Sequence, residues 1–356
     1  MNKQKNTYSV LGLMSGTSLD GLDLCACRFT YDEQWKFEIV ETDTLPYSKS
    51  WQNQLLEAEN CSGRKLTQIH SEYGSYLGKQ SADFIQKYNL NIDLIASHGH
   101  TIFHQPEDSY TLQIGHGGYL CSETNLPTVT DFRSQDIALG GQGAPLVPFG
   151  EHHLFKAYKA FLNLGGIANI SIHKRGSVIA FDIAAANMVM NYICQKHFNC
   201  KYDRNGSIAK SGKFNETLFR ALNQYSYYQK AAPKSLGKED VFETIIPIID
   251  ECKVEPKDQL HTYCKHLCYQ IMLTVEKYDL NDEKILLSGG GAYNQFLYEL
   301  LNQDQNFVLP EPKIIEYKEA LIFAFLGLMR FLDNPNVFNS VTGARKQSIA
   351  GAIYYP

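Results

Sequence analysis

Three glycine turns are the first residues in this chain whose types and spacing suit chemistry. Gly16-Thr17-Ser18-Leu19-Asp20-Gly21 joins two apolar stretches, and Gly165-Gly166 and Gly289-Gly290-Gly291 each end another. A glycine turn presents peptide N–H groups to an anion with no Cβ in the way. The first turn adds two hydroxyls that can donate to phosphate oxygens. It also carries Asp20, a carboxylate that suits Mg2+ through water. Any one of these segments alone reads as a tight turn, but three in register with a repeated fold point to phosphate. None is a P-loop, since no Gly-Lys-Ser/Thr follows, and none is a Gly-x-Gly-x-x-Gly in a βαβ unit.

Single side chains come next. Asp182 closes the apolar stretch 178–181, where a carboxylate is either a general base or a cap or turn residue. Arg133 stands in Thr130-Asp131-Phe132-Arg133, ahead of Gly140-Gly141-Gln142-Gly143-Ala144-Pro145. It could clamp a carboxylate, although a surface arginine is commoner. Glu319 precedes the apolar stretch 320–332, where an acid in a first helical turn complements the helix dipole. His98, His100 and His104 raise zinc, because histidines two apart on a strand share a face. No carboxylate motif follows them, and a metal site is the less favoured reading. His261, Cys264 and Cys268 also have ligand-like spacing, but both cysteines fall on an apolar helical stripe and read as core thiols.

The elements that must position these residues come in a repeated order. Strands are expected at 8–14, 22–29 and 36–41, then a helix through Leu66, Ile69, Tyr73, Leu77 and Phe84 with Ser62 as its cap. A strand at 92–96 runs into Ser97-His98-Gly99-His100-Thr101. The second half gives strands at 160–164, 169–173 and 178–182, then helices from Asn187, over 214–225 and over 258–278. A strand at 284–287 enters the triple glycine, and a helix starts near Asn294. The class is α/β, with two similar domains of mixed sheet flanked by helices. They are expected at 1–130 plus 340–356 and at 131–339, with hinges near 128–131 and 339. A ligand cleft is expected where the glycine turns converge.

Composition excludes several classes. At 356 residues the chain has room for two domains of about 150. It is 44% hydrophobic and 20% charged, too apolar for disorder. With 33 basic and 38 acidic residues, net −5, it lacks a nucleic-acid footprint. The longest apolar run, 320–329, falls short of the about 20 residues a membrane span needs. Nothing at the start reads as a signal peptide. Nine scattered cysteines fit reduced thiols. A soluble, cytoplasmic protein is expected, with neither nucleic acid nor membrane as partner.

The motifs taken together resemble the anhydro-N-acetylmuramic acid kinases of the actin/hexokinase-like ATPase superfamily. The resemblance rests on Gly12 through Asp23, Ser97-His98-Gly99-His100-Thr101, Asp131-Phe132-Arg133, Gly140 through Pro148, Pro233-Lys234-Ser235-Leu236-Gly237-Lys238-Glu239 and Val341-Thr342-Gly343-Ala344, in order along nearly the whole chain. It implies a duplicated ribonuclease-H-like (actin-like ATPase) fold that closes over ATP, Mg2+ and a sugar, with the terminal segment 347–355 returning to the N-terminal domain. The implied reaction opens 1,6-anhydro-N-acetylmuramic acid with water and phosphorylates O6, giving N-acetylmuramic acid 6-phosphate and ADP, in cell-wall recycling. By similarity Asp182 is the base, and Thr101, Arg133 and Glu319 are substrate-side residues. Gly16, Thr17, Ser18, Leu19, Asp20, Gly21, Leu22 and Asp23 look like the ATP phosphate site. Gly165 and Gly166 would form a second phosphate loop, and Gly289, Gly290 and Gly291 an adenosine loop. Mg2+ would come with ATP, without a direct protein ligand, and a homodimer is implied.

Two departures from the family pattern stand out. Ile183-Ala184-Ala185-Ala186 replaces a Gly-Pro-containing segment after the aspartate, and His100 stands where glutamine is usual. The rival readings are a kinase of the same fold for another sugar and a non-catalytic nucleotide sensor.

Overall fold

The computed structural model describes residues 6–16, 19–174, 177–303 and 305–356. It divides into two compact units, Met1–Lys156 with Tyr317–Pro356, and Ala157–Glu316.

The sheet of unit 1 holds β1 (Thr7–Ser15), β2 (Gly21–Asp32), β3 (Gln34–Pro46), β4 (Leu94–Gln105), β5 (Tyr110–Ile114), β6 (Thr128–Thr130) and β12 (Ala352–Tyr354). Its order is β12-β6-β4-β1-β2-β3, with β5 paired to β4. The sheet of unit 2 holds β7 (Ala160–Leu164), β8 (Ile167–Lys174), β9 (Ser177–Ala185), β10 (Ile285–Ser288) and β11 (Phe307–Val308), ordered β11-β10-β7-β8-β9.

Both sheets obey one rule. Three consecutive strands run antiparallel, and the first of them lies parallel to a later strand that is itself parallel to one more. This is the duplicated ribonuclease-H-like fold of actin-like ATPases. β12 adds antiparallel to β6, so the end of the chain returns to the first unit as expected.

Local signals account for most elements. Ser62 caps the helix Gly63–Lys87 by accepting from the Lys65 N–H, and Asn294 caps Gln295–Leu301 through the Leu297 N–H. The helix Pro256–Lys277 buries Leu260, Cys264, Leu267, Ile271 and Val275 together. Strand β3 runs well past the expected 36–41, since pairing with β2 holds an exposed edge strand whose own pattern is mostly polar. β5 and β6 are too short to show a period.

The unit boundaries fall at Lys156/Ala157 and Glu316/Tyr317, not at 130/131 and 339/340. Residues 131–156 are tied to unit 1 by the Asp136 carboxylate, which accepts from the Thr342 hydroxyl at 2.8 Å, and by Phe149 against Phe325.

The helix Pro312–Phe331 is the centrepiece of unit 1. Residues 320–329 are buried on every side, which explains an apolar run with no polar face. Two glycines let it sit directly on the sheet. A Cβ at Gly12 of β1 would collide with the Ala320 carbonyl, and one at Gly327 with the Ala96 Cβ of β4. Among the described residues no helix is long and apolar enough to cross a membrane.

Gly12→Ala is therefore expected to destabilise unit 1 by about 1–3 kcal/mol through overpacking. The melting midpoint of its transition should fall, and an unchanged midpoint would contradict the contact.

Candidate active site

In unit 1, β1 ends at Ser15 and the glycine turn begins. Gly16 is half-buried, and its carbonyl accepts from the Leu19 N–H at 3.2 Å; Thr17 and Ser18 lie outside the described residues. Leu19 has φ 60°, Asp20 is exposed, and Gly21 opens β2. Leu22 is buried in the core, so only its backbone can face a ligand. Asp23 accepts from the Thr44 hydroxyl at 2.7 Å across the β2–β3 pair, which makes it a fixed wall of the turn.

Behind the turn runs a buried, uncharged chain. Tyr47 donates to Ser15 Oγ at 2.7 Å, Tyr73 lies 2.6 Å from the Tyr47 hydroxyl, and Ser15 Oγ meets His100 Nδ1 at 2.9 Å. Burial holds His100 down to about 4, so the imidazole is neutral at pH 7. Tyr47 and Tyr73 are pushed up by burial and stay protonated.

The two histidines expected on one face go to different partners. Gly99 between them has φ 74°, and two residues of β1, Leu13 and Ser15, span Ser97 to His100 on β4. The bulge resets the alternation. His98 turns to Arg133, which donates from Nε and Nη2 to His98 Nε2 at 3.0 and 2.9 Å. His104 pairs with the Thr111 hydroxyl. Among the described residues no cluster of three or more His, Cys, Asp or Glu is arranged for a metal ion. Cys264 is buried against Met190 Sδ, as a core thiol should be.

Arg133 is half-buried, and it also donates from Nη1 to the Gly143 carbonyl at 2.6 Å. Desolvation lowers it to about 10, with Glu319 and Asp136 opposing the fall, and it remains a cation at neutral pH. Asp136 was not legible as a site residue. Its carboxylate takes the Gly143 N–H and the Thr342 hydroxyl, both at 2.8 Å, and so joins the 140–143 glycine loop to the 341–344 motif.

Glu319 lies well inside its helix rather than in a first turn, so dipole complementation does not explain it. Its side chain reaches solvent although protein surrounds it closely, and desolvation raises its pKa against the opposing pull of Lys318 and Arg133. Thr101 on β4 is half-buried opposite Gln113, whose amide nitrogen lies 3.4 Å from the Thr101 hydroxyl. The other amide atom, Gln113 Oε1, is buried with no hydrogen-bond partner among the described residues, an acceptor that sequence reading passed over. Next to Glu319, Lys318 and Glu151 form an ion pair at 2.8 Å, with only 5% and 3% of their side chains exposed.

Unit 2 brings its own predicted residues together. Gly165-Gly166 is the two-residue turn between β7 and β8, and its carbonyls accept from the Ala186, Asn187 and Met188 N–H groups at the start of the helix Asn187–His197. The triple glycine packs on the same corner. Gly289 has φ 77°, and a Cβ there would press Asn163 and Leu164 at 2.5–2.9 Å. Gly291 likewise abuts Leu164. Gly290 alone is exposed with nothing near its missing Cβ, so packing does not account for it.

Asp182 sits on β9, three residues before its end. Its Oδ2 accepts the Leu236 N–H at 2.9 Å, its own N–H donates to the Lys234 carbonyl, and its carbonyl accepts the Tyr227 hydroxyl. The Pro233–Glu239 motif thus cradles the carboxylate. Burial raises its pKa, the Leu236 N–H opposes the rise, and no ion pair neutralises it among the described residues. Within the Ile183–Ala186 departure, residues 183–185 continue β9 and Ala186 is the N-cap of the helix Asn187–His197, all four buried.

The family described as anhydro-N-acetylmuramic acid kinase matches residues 8–356. The chain belongs to the anhydro-N-acetylmuramic acid kinase family. An anhydro-N-acetylmuramic acid kinase of Bacillus thuringiensis subsp. konkukian is 31% identical, over 98% of this chain and 99% of its own. One of Bacillus cereus strain B4264 is 32% identical, over 98% and 97%. Among solved structures, the ADPNP-bound activator of 2-hydroxyisocaproyl-CoA dehydratase from Clostridium difficile aligns at 12% identity over 93% of this chain and 99% of its own, with a TM-score of 0.44. Membership of the anhydro-N-acetylmuramic acid kinase family makes the chain an ATP-dependent sugar kinase with a role in cell-wall recycling.

Lys318→Met should cost about 3–5 kcal/mol in urea unfolding, because Glu151 loses its buried cation. Lys318→Met combined with Glu151→Leu should recover most of that loss. A double variant no better than the single would contradict the pairing.

Proposed function

We propose that this enzyme opens the 1,6-anhydro bridge of anhydro-N-acetylmuramic acid with water and transfers the γ-phosphoryl of ATP to the freed O6. Water oxygen bonds to C1 and the C1–O6 bond breaks. O6 then bonds to the γ-phosphorus as the bond to the β-phosphate bridging oxygen breaks, releasing ADP. The water proton goes to Asp182.

The observation that carries this reading is Asp182 itself. One oxygen is fixed by the Leu236 N–H, the other has no protein hydrogen bond among the described residues, and no cation is paired with it. A cap aspartate would accept from the first N–H groups of a helix that it begins; this one lies within a strand. Desolvation raises its pKa, which makes it a stronger proton acceptor. Phosphoryl transfer asks the protein mainly for positioning and charge stabilisation.

We assign the Gly16–Asp23 turn, Gly165-Gly166 and the exposed Gly290 to the nucleotide. Mg2+ would neutralise the charge developing on the phosphates, and the exposed Asp20 is the carboxylate that fits it through water. Thr101, Arg133 and Glu319 are assigned to the sugar. The protein would act in the cytoplasm, as a homodimer.

Asp182→Asn tests the assignment. The Leu236 N–H still finds an amide oxygen, so the fold and ATP affinity should persist. Loss of the base should lower kcat by about 10²–10⁴-fold. Because the native pKa is raised, activity of the unsubstituted enzyme should fall with acid at a pH above the ordinary aspartate value of 3.8. A variant that keeps more than a tenth of kcat excludes Asp182 as the base, and Glu319 becomes the next carboxylate to test.

A further inference from the structure

Arg133 has an unusual set of partners for a desolvated guanidinium. Three of its five N–H donors are committed, two to His98 Nε2 and one to the Gly143 carbonyl, and both acceptors are uncharged. Among the described residues no carboxylate lies within ion-pairing distance. Glu319 and then Asp136 are near enough to be felt, but neither pairs with the guanidinium, and the Asp136 oxygens hold the Gly143 N–H and the Thr342 hydroxyl. The cation is therefore pinned without being neutralised, and one N–H on each terminal nitrogen remains for a ligand. A carboxylate spans such a pair.

His98 is itself fixed. Its Nδ1 lies 3.0 Å from the Gly99 carbonyl, an acceptor, so the proton sits on Nδ1 and Nε2 keeps its lone pair for Arg133. The ring packs on Phe323 with centroids 4.6 Å apart. Burial first, then the neighbouring guanidinium, hold the imidazole well below its usual range, so it stays a neutral acceptor. A glutamate at this position, whose carboxylate matches the reach of Nε2, would hold Arg133 and cancel the charge a substrate needs.

We infer that His98 is a positioning residue that aims Arg133 at a carboxylate of the sugar and keeps its charge available, so that the enzyme prefers an acidic anhydrosugar to a neutral one. The inference rests on the proposed function, whose muramic acid substrate carries a lactyl carboxylate. It goes beyond that reading in making the preference depend on an uncharged partner behind the arginine.

Calorimetric binding of anhydro-N-acetylmuramic acid and of its carboxamide to the full chain tests it, with KM and kcat for both compounds measured alongside. The unsubstituted protein should bind the acid roughly ten- to a hundred-fold more tightly than the carboxamide. His98→Glu should raise Kd and KM for the acid by about the same factor, leaving kcat and the carboxamide constants within about threefold. His98→Gln, which keeps an uncharged acceptor, should retain most of the preference. ATP affinity, measured on each variant, checks that the fold is intact. Equal losses for acid and carboxamide, or an acid preference untouched by His98→Glu, would overturn the inference. So would an unsubstituted protein that binds both compounds alike, a result that needs no variant to fold. Absence of sugar-dependent ADP release from the unsubstituted protein would instead count against the proposed reaction, and the binding preference would still decide the role of His98.

Discussion

The seat of the helix Pro312–Phe331 on β1 and β4 is the contact on which the rest of unit 1 depends. Gly12 and Gly327 remove the side chains that would hold it off the sheet. The gain is a helix stretch buried on all sides, at about 25 cal/mol per Å² of apolar surface removed from water. The same approach packs Phe323 of the helix on His98 of β4, with ring centroids 4.6 Å apart. A charged residue cannot accompany such a helix into the interior unpaired, and Lys318 meets Glu151 there.

Charge is handled differently at the residues proposed for the ligands. The chain from Tyr73 through Tyr47 and Ser15 to His100 is uncharged, so it stiffens the base of the Gly16–Asp23 turn without placing a charge there. Arg133 is oriented by neutral groups, and Asp182 by a single peptide N–H. The groups proposed to meet a ligand are thus fixed in position without an ion-pair partner among the described residues, as a preorganised site would require.

Much of this was legible in the sequence because it depends on local pattern. Alternation and helical stripes gave the repeated strand order, and the glycine turns fell where strands end. Asp182 falls on the strand that the apolar stretch before it predicts, whereas the first helical turn expected for Glu319 gives way to a place inside the helix Pro312–Phe331. What escaped depends on contacts distant in sequence. Asp136 looks like any helix acid until the Thr342 hydroxyl and the Gly143 N–H arrive from other segments. Lys318 and Glu151 read as surface charges because nothing local shows that both are buried. The separation of His98 from His100 follows from one bulge and one left-handed glycine, which strict alternation cannot anticipate. The domain boundaries moved for the same reason, since residues 131–156 are claimed by tertiary bonds rather than by any break in composition.

The most direct test of the claim that water opens the bridge at C1 and that O6 receives the phosphoryl group is the position of label after turnover in ¹⁸O-water. Product is quenched before the anomeric oxygen exchanges and read by fragment mass spectrometry. The account predicts one ¹⁸O at C1, with an unlabelled oxygen linking C6 to phosphorus. Label in that linking oxygen, or labelled inorganic phosphate with no phosphorylated sugar, would contradict it.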